Sequence, residues 1–232
     1  MQTFWNALIE ALRLIVFLDP VVVEIALRSL QVTLTALTIS ALVGIPVGAW
    51  LALTHLPGKR FITTLIYTGM GLPPVVVGLF VAIMLWRSGP LGNMHLIYTP
   101  TAIIIAQVII SFPVVTGLTA AALQALDPRL RLQLYGLGAS RSQMIGMLWK
   151  EARLPLLAAL MAGFGSVISE VGASMMVGGN IRYQTRVLTT AIVLETGKGN
   201  FDFAIALGIL LLTITFLVNW ALTWIQQRSA RR

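Results

Sequence analysis

The chain has 232 residues, 57% of them hydrophobic and only 10% charged, with a net charge of +8 and no cysteine. Soluble domains carry about 25% charged residues, so a water-soluble fold of this size cannot hide so much apolar surface, and lipid has to be its solvent. Without cysteine there is no disulfide, thiolate metal site or cysteine nucleophile. Long stretches hold no cation at all, which argues against nucleic acid as the partner of the positive charge.

In chain order, Phe4–Leu18 is short and carries Glu10 and Arg13. It reads as an amphipathic helix at the membrane interface, with a short sixth span as the alternative. No small-residue cleavage site follows it, so it does not read as a secretory signal. Five further runs reach the roughly 20 apolar residues that a helix needs to cross hydrocarbon: Leu30–Leu53, Phe61–Trp86, Ile97–Leu126, Leu154–Val177 and Phe203–Gln227. The expected fold is an all-α membrane protein with an N-terminal interfacial segment (1–27), a membrane domain (28–227) with a dense loop at 127–153, and a basic tail (228–232). Pro46, Pro73, Pro74 and Pro113 each remove a helical hydrogen bond within these runs. They mark either plain kinks or helices that line a pathway.

Lysine and arginine set the orientation. With five spans, one side holds Lys59, Arg60, Arg129, Arg131, Arg141, Lys150, Arg153, Arg228, Arg231 and Arg232 against the acids Asp127 and Glu151. The other side holds Arg13, Arg28, Arg87, Arg182, Arg186 and Lys198 against Glu10, Asp19, Glu24, Glu195 and Asp202. The first side is therefore cytoplasmic, which places the N-terminus outside and the C-terminus inside.

No G-x-x-x-x-G-K-[ST] phosphate loop occurs, so ATP is not bound in that manner by this chain. The two histidines, His55 and His95, fall on opposite sides of the membrane and cannot share a metal ion. With neither a nucleophile constellation nor a metal set, an enzyme is not expected. Glu170 is the one ionisable group well inside a run. A carboxyl there is costly in lipid and marks either a structural anchor of the outer gate, paired with a backbone amide or an arginine of the following loop, or a mere pair with a loop cation such as Arg182.

The loop segment Arg131–Leu157 carries Gly138-Ala139-Ser140, then an amphipathic stretch, then Leu154-Pro155 at the start of the next run. This pattern resembles the cytoplasmic loop of binding-protein-dependent ABC importer permeases. Leu132-Gln133-Leu134 stand where that family has Glu-Ala-Ala, and the spacing to Leu154-Pro155 is longer by about one helical turn. Leu72-Pro73-Pro74-Val75-Val76-Val77-Gly78 with Gly89-Pro90-Leu91-Gly92, and Ser169-Glu170-Val171-Gly172-Ala173-Ser174 through Gly179-Asn180-Ile181, resemble the oxyanion subgroup for molybdate, tungstate and sulfate. Within that subgroup they are most similar to the tungstate permeases.

The resemblance implies a type I ABC importer permease that acts as a homodimer in the inner membrane of a prokaryote. Two ATP-binding subunits would sit on the cytoplasmic side and an external oxyanion-binding protein above, so that ATP is a cofactor of the partner and not of this chain. It implies a coupling loop with Gly138, Ala139, Ser140, Arg141 and Met144, a gate region with Glu170, Gly172, Ala173 and Ser174, and an outer mouth with Arg182 and Arg186. From the residues alone, Gly172, Ala173 and Ser174 fit close helix packing equally well. An ATP-independent secondary transporter or channel is the alternative function.

Overall fold

The computed structural model describes residues 19–54 and 57–230, with six isolated positions before them. Nine of the fifteen residues of the expected interfacial helix Phe4–Leu18 lie outside the described residues. Ten α-helices and one short 3-10 helix occupy the described residues, in the order of the chain.

Helix α1 runs over Pro20–Leu53, 34 residues. It begins ten residues before the apolar run because Asp19-Pro20 is a helix start. The Asp19 carboxylate accepts from the Val21 and Val22 amides at 2.9 and 3.3 Å, and proline fits the first helical position, where its missing N–H costs nothing. Glu24 and Arg28 are thus carried into the helix. At the other end the Lys59 ammonium donates to the carbonyls of Ala52 and Thr54 at 3.4 and 3.2 Å, which ties the chain as it leaves α1.

The second apolar run is not one span. It forms α2 (Lys59–Met70) and α3 (Pro74–Leu85), bent by 99°. Pro73 and Pro74 supply no amide to a continuing helix, and each keeps the residue before it out of the helical region. The chain therefore stops at Gly71 and restarts with Pro74 in the first turn of α3. A 3-10 helix (Gly92–Met94) leads to α4 (Pro100–Gln124), which passes through Pro113 without ending.

Two short helices, α5 (Pro128–Gly136) and α6 (Arg141–Glu151), make the expected dense loop. The fourth run is also interrupted. Helix α7 (Arg153–Ile168) ends before Glu170, and α8 (Gly172–Gly178) follows. Helix α9 (Leu188–Gly197) is too short to cross a membrane, and α10 (Phe201–Ala230) completes the chain. Among the described residues three helices, α1, α4 and α10, are long and apolar enough to span, and up to five spans result if the bent pairs α2–α3 and α6–α7 each count as one.

Helix α4 is the axis. It touches α1, α2, α3, α7 and α8. Without a hydrophobic drive between helices in lipid, association depends on close backbone approach. Gly44 and Gly48 of α1, four residues apart, supply it: a Cβ on Gly48 would lie 2.5 Å from the Thr116 carbonyl oxygen, and one on Gly44 would lie 2.9 Å from Thr116 Oγ1. The hydroxyls of Ser40 and Ser111 meet across the same seam at 2.7 Å. One core cluster joins α3, α4, α7 and α8 through Val77, Val81, Ile103, Ala106, Val167 and Val177. A second, through Ala49, Leu123, Leu148, Ala152 and Leu156, ties the inner ends of α1 and α4 to α6 and α7. A third packs α1, α9 and α10 through Ile25, Leu188 and Leu207.

The α1–α4 seam yields a direct test. Gly48→Ala forces the two helices apart and lowers stability by about 1–3 kcal/mol, the usual range for overpacking. Gly165→Ala in α7, where a Cβ meets open space, leaves stability unchanged or raises it. Thermal unfolding in detergent distinguishes the two.

Candidate translocation site

The break between α7 and α8 is built from its own side chains. The Val167 carbonyl accepts from the Glu170 amide at 3.2 Å and from Gln107 Nε2 of α4 at 3.3 Å. Glu170 is 7% exposed. Its carboxylate Oε1 accepts from the Ala173 amide at 2.7 Å, and its carbonyl accepts from the Thr189 hydroxyl at 2.8 Å. The carboxylate therefore caps the start of α8, where the helix dipole favours negative charge. It makes no ion pair with Arg182 or Arg186, so the loop-cation reading of Glu170 does not hold.

Gly172, Ala173 and Ser174 belong to a tight contact with α3. A Cβ on Gly172 would lie 2.6 Å from Val75 Cγ2, and one on Gly78 would lie 2.6 Å from Ala173 Cα. Ala173 and Ser174 are buried. The small side chains are used here for helix packing within the subunit.

The loop after α8, expected on the outer side, is stapled by Thr185, whose hydroxyl donates to the Gly178 carbonyl and accepts from the Ile181 amide at 2.9 Å. Asn180 and Tyr183 have φ of 51° and 64°, and residues 181–187 form turns rather than a helix. The spacing of Arg182 and Arg186 thus does not place them on one helix face. The Arg182 guanidinium lies 4.8 Å from the Tyr183 ring centroid. Arg186 Nη2 donates to the Asn180 carbonyl at 3.4 Å. At the end of α9 the Lys198 ammonium donates to Glu195 at 2.9 Å. That bond, helped by Asn200 and the charges of Lys198 and Arg186, holds the Glu195 carboxyl below its ordinary range despite its burial.

In the loop expected on the cytoplasmic side Gly138, with φ of 74°, is the left-handed residue that closes α5. Its amide donates to the Tyr135 carbonyl and that of Ala139 to the Leu134 carbonyl, both at 3.0 Å, which is the Schellman arrangement. Ser140 then caps α6: its hydroxyl accepts from the Gln143 amide at 3.4 Å, and its own amide donates to Gln143 Oε1 at 2.9 Å. Two helix ends share four residues, so the loop is an elbow with little free chain. Arg141 opens α6. Met144 packs inward against the second core cluster. Leu132, Tyr135 and Leu137, the last 83% exposed, face outward from α5 and the elbow, and Ile145, Met147 and Trp149 of α6 are exposed too.

Gln107 is a functional residue that the sequence reading misses, although a lone amide in an apolar run is a signal. Thr185 and Thr189 fall in the run that continues the Glu170 motif, but their contacts join distant segments and cannot be read from it.

A model of the family described as "Binding-protein-dependent transport system inner membrane component" matches residues 44–231. The chain belongs to this family. The permease is 41% identical over 217 residues to a tungstate uptake system permease protein of Peptoclostridium acidaminophilum, covering 94% of this chain and 95% of that one. It is 36% identical over 162 residues to a tungstate uptake system permease protein of Campylobacter jejuni, covering 70% and 68%. A solved inward-facing MetNI methionine ABC transporter shares the fold, with a TM-score of 0.74 at 18% identity over 91% of this chain and 98% of that one.

The cap at Glu170 sets an expectation for variants. Glu170→Ala strands a buried amide and costs about 1–3 kcal/mol, less than breaking a buried ion pair, because its partner is a backbone N–H. Glu170→Gln keeps a carbonyl acceptor and is milder. Denaturation of the purified permease should rank wild type above Gln and Gln above Ala; equal midpoints would remove the capping role.

Proposed function

We propose that this permease forms the membrane pathway of an ATP-driven importer for a tetrahedral oxyanion, tungstate before molybdate or sulfate. The observation that carries this reading is the 41% identity to a tungstate uptake permease across 94% of the chain. Two copies would surround the pathway, with an ATPase pair on the cytoplasmic side and an oxyanion-binding protein outside. A divalent anion is strongly hydrated and costly to strip of water. The external protein supplies the selective hydrogen bonds, and the permease supplies a mildly polar path with mobile walls.

The α5–α6 elbow is the part suited to the ATPase. Its exposed Leu132, Tyr135 and Leu137 can enter a groove, while Leu148 and Ala152, in the second core cluster, connect it to the inner ends of α1, α4 and α7. Movement of the groove is passed to the membrane helices through that packing. Glu170 repels an anion and is assigned to holding α8, not to touching substrate.

Reconstitution tests the function. Vesicles that contain the permease and its ATPase, with the binding protein on the external side, should take up tungstate only with ATP. Absence of tungstate, molybdate and sulfate uptake alike would overturn the reading. Gly138→Val forces a β-branched residue into the left-handed region, which costs about 1–2 kcal/mol; ATP hydrolysis should persist while uptake falls.

Orientation has its own test. The chain lacks cysteine, so Ser142→Cys gives a single thiol on α6. An impermeant thiol reagent added outside intact cells should label it only after permeabilisation, and labelling of intact cells would reverse the topology.

A further inference from the structure

Helix α2 is out of keeping with a membrane helix packed in lipid. None of its residues is buried within the subunit. Arg60, Thr63, Thr64 and Tyr67 stand at positions i, i+3, i+4 and i+7, so they share one face. They border a groove of about 880 Å³ that Gln124 of α4 closes on the far side. Phe61 also lines the groove, whereas Leu65, 63% exposed, lies round the helix outside it.

The contacts with α4 fix the depth. Lys59 and Arg60 share the groove with Gln124, the last residue of α4. Farther along, a Cβ on Gly117 would lie 2.7 Å from Met70 Sδ and 3.4 Å from the Tyr67 ring, and a Cβ on Gly69 would lie 2.9 Å from Pro113 Cβ. Helix α2 therefore runs antiparallel to α4 from its inner end to its midpoint. Its 12 residues rise about 18 Å at 1.5 Å per residue, close to half the hydrocarbon thickness.

A polar stripe at that depth cannot face lipid tails; it faces water or other protein. Lys59 is committed to the carbonyls of Ala52 and Thr54, and the Thr64 hydroxyl donates to the Arg60 carbonyl at 2.9 Å. Among the described residues no carboxylate pairs with Arg60. We propose that this groove is the inner half of the anion route, and that Arg60, with the hydroxyls of Thr63 and Tyr67, forms a low-affinity oxyanion station before release to the cytoplasm. One exposed guanidinium suits a station that must let go, since conduction needs binding weak enough to leave.

The proposal rests on the functional reading above, and one experiment separates the two. Thr63→Cys, Thr64→Cys, Tyr67→Cys and Leu65→Cys are each introduced into the cysteine-free chain, assembled with the ATPase in inverted vesicles that hold the binding protein inside. A negatively charged methanethiosulfonate reagent is added from the cytoplasmic side. Leu65 lies about 140° round the helix from Arg60 at 100° per residue. The expected result is labelling of the three stripe positions at least an order of magnitude faster than of Leu65→Cys, slowed by tungstate in the presence of ATP. Arg60→Gln should slow uptake several-fold while the ATPase subunits remain bound. Stripe positions no faster than Leu65→Cys, or labelling indifferent to tungstate in vesicles that transport it, would overturn the route. Wild-type vesicles that transport no oxyanion would instead overturn the functional reading.

Discussion

A backbone amide or carbonyl without a partner costs several kcal/mol in hydrocarbon, which is why unbroken helices and closed barrels dominate membrane folds. This permease stops its chain twice inside its apolar runs, and the rest of the structure is arranged to satisfy those stops. At the α7–α8 break, Glu170 caps the new helix with its carboxylate, Gln107 reaches from α4 to the Val167 carbonyl, and Thr189 reaches from α9 to the Glu170 carbonyl. Two elements distant in sequence, α4 and α9, are thereby pinned to one break. At the α2–α3 bend the chain satisfies itself: Gly71 and Leu72 donate back to Thr68 and Gly69, and Val76 and Val77 donate to Pro73.

The second requirement is a straight member for the interrupted helices to lean on. Helix α4 serves because its faces are graded by size. Ala102, Ala106 and Ala120 are buried where neighbours come closest, and Gly117 admits α2. Gly44 and Gly48 of α1 complete the fit from the other side. Pro113 does not end α4, and the tight contact of Gly69 with its ring uses the proline as a packing surface.

The membrane class, the long spans and the inner loop were legible in the sequence, because hydropathy reports depth and Gly138-Ala139-Ser140 is at once a helix stop and a helix start. Of the two partners expected for Glu170, a backbone amide or an arginine, the structure shows the amide, that of Ala173. Hydropathy could not show the 99° bend: Phe61–Trp86 is uncharged throughout, and the signal lay in the backbone chemistry of Pro73-Pro74. It missed the start of α1 for the same reason, since Asp19-Pro20 is a capping signal and Glu24 and Arg28 depress the apolar count. Met144 carries the helical spacing of a docking side chain, yet the direction of α6 turns it to the core. Arg182 and Arg186 could be read as neighbours only on a helix, and the left-handed Asn180 and Tyr183 make that stretch a set of turns.

The bend at Gly71–Pro73 also bears on the electric field. If the groove beside α2 is filled with water as proposed, cytoplasmic potential would extend to the level of Tyr67 and Gly117, and most of the membrane voltage would fall across the remaining part of the bilayer. A cell interior that is negative opposes the entry of a divalent anion by about 4.6 kcal/mol per 100 mV. On the proposed route that work is then concentrated between the end of the groove and the opposite face of the membrane. That crossing is the step ATP would drive, after which the anion would move at nearly constant potential.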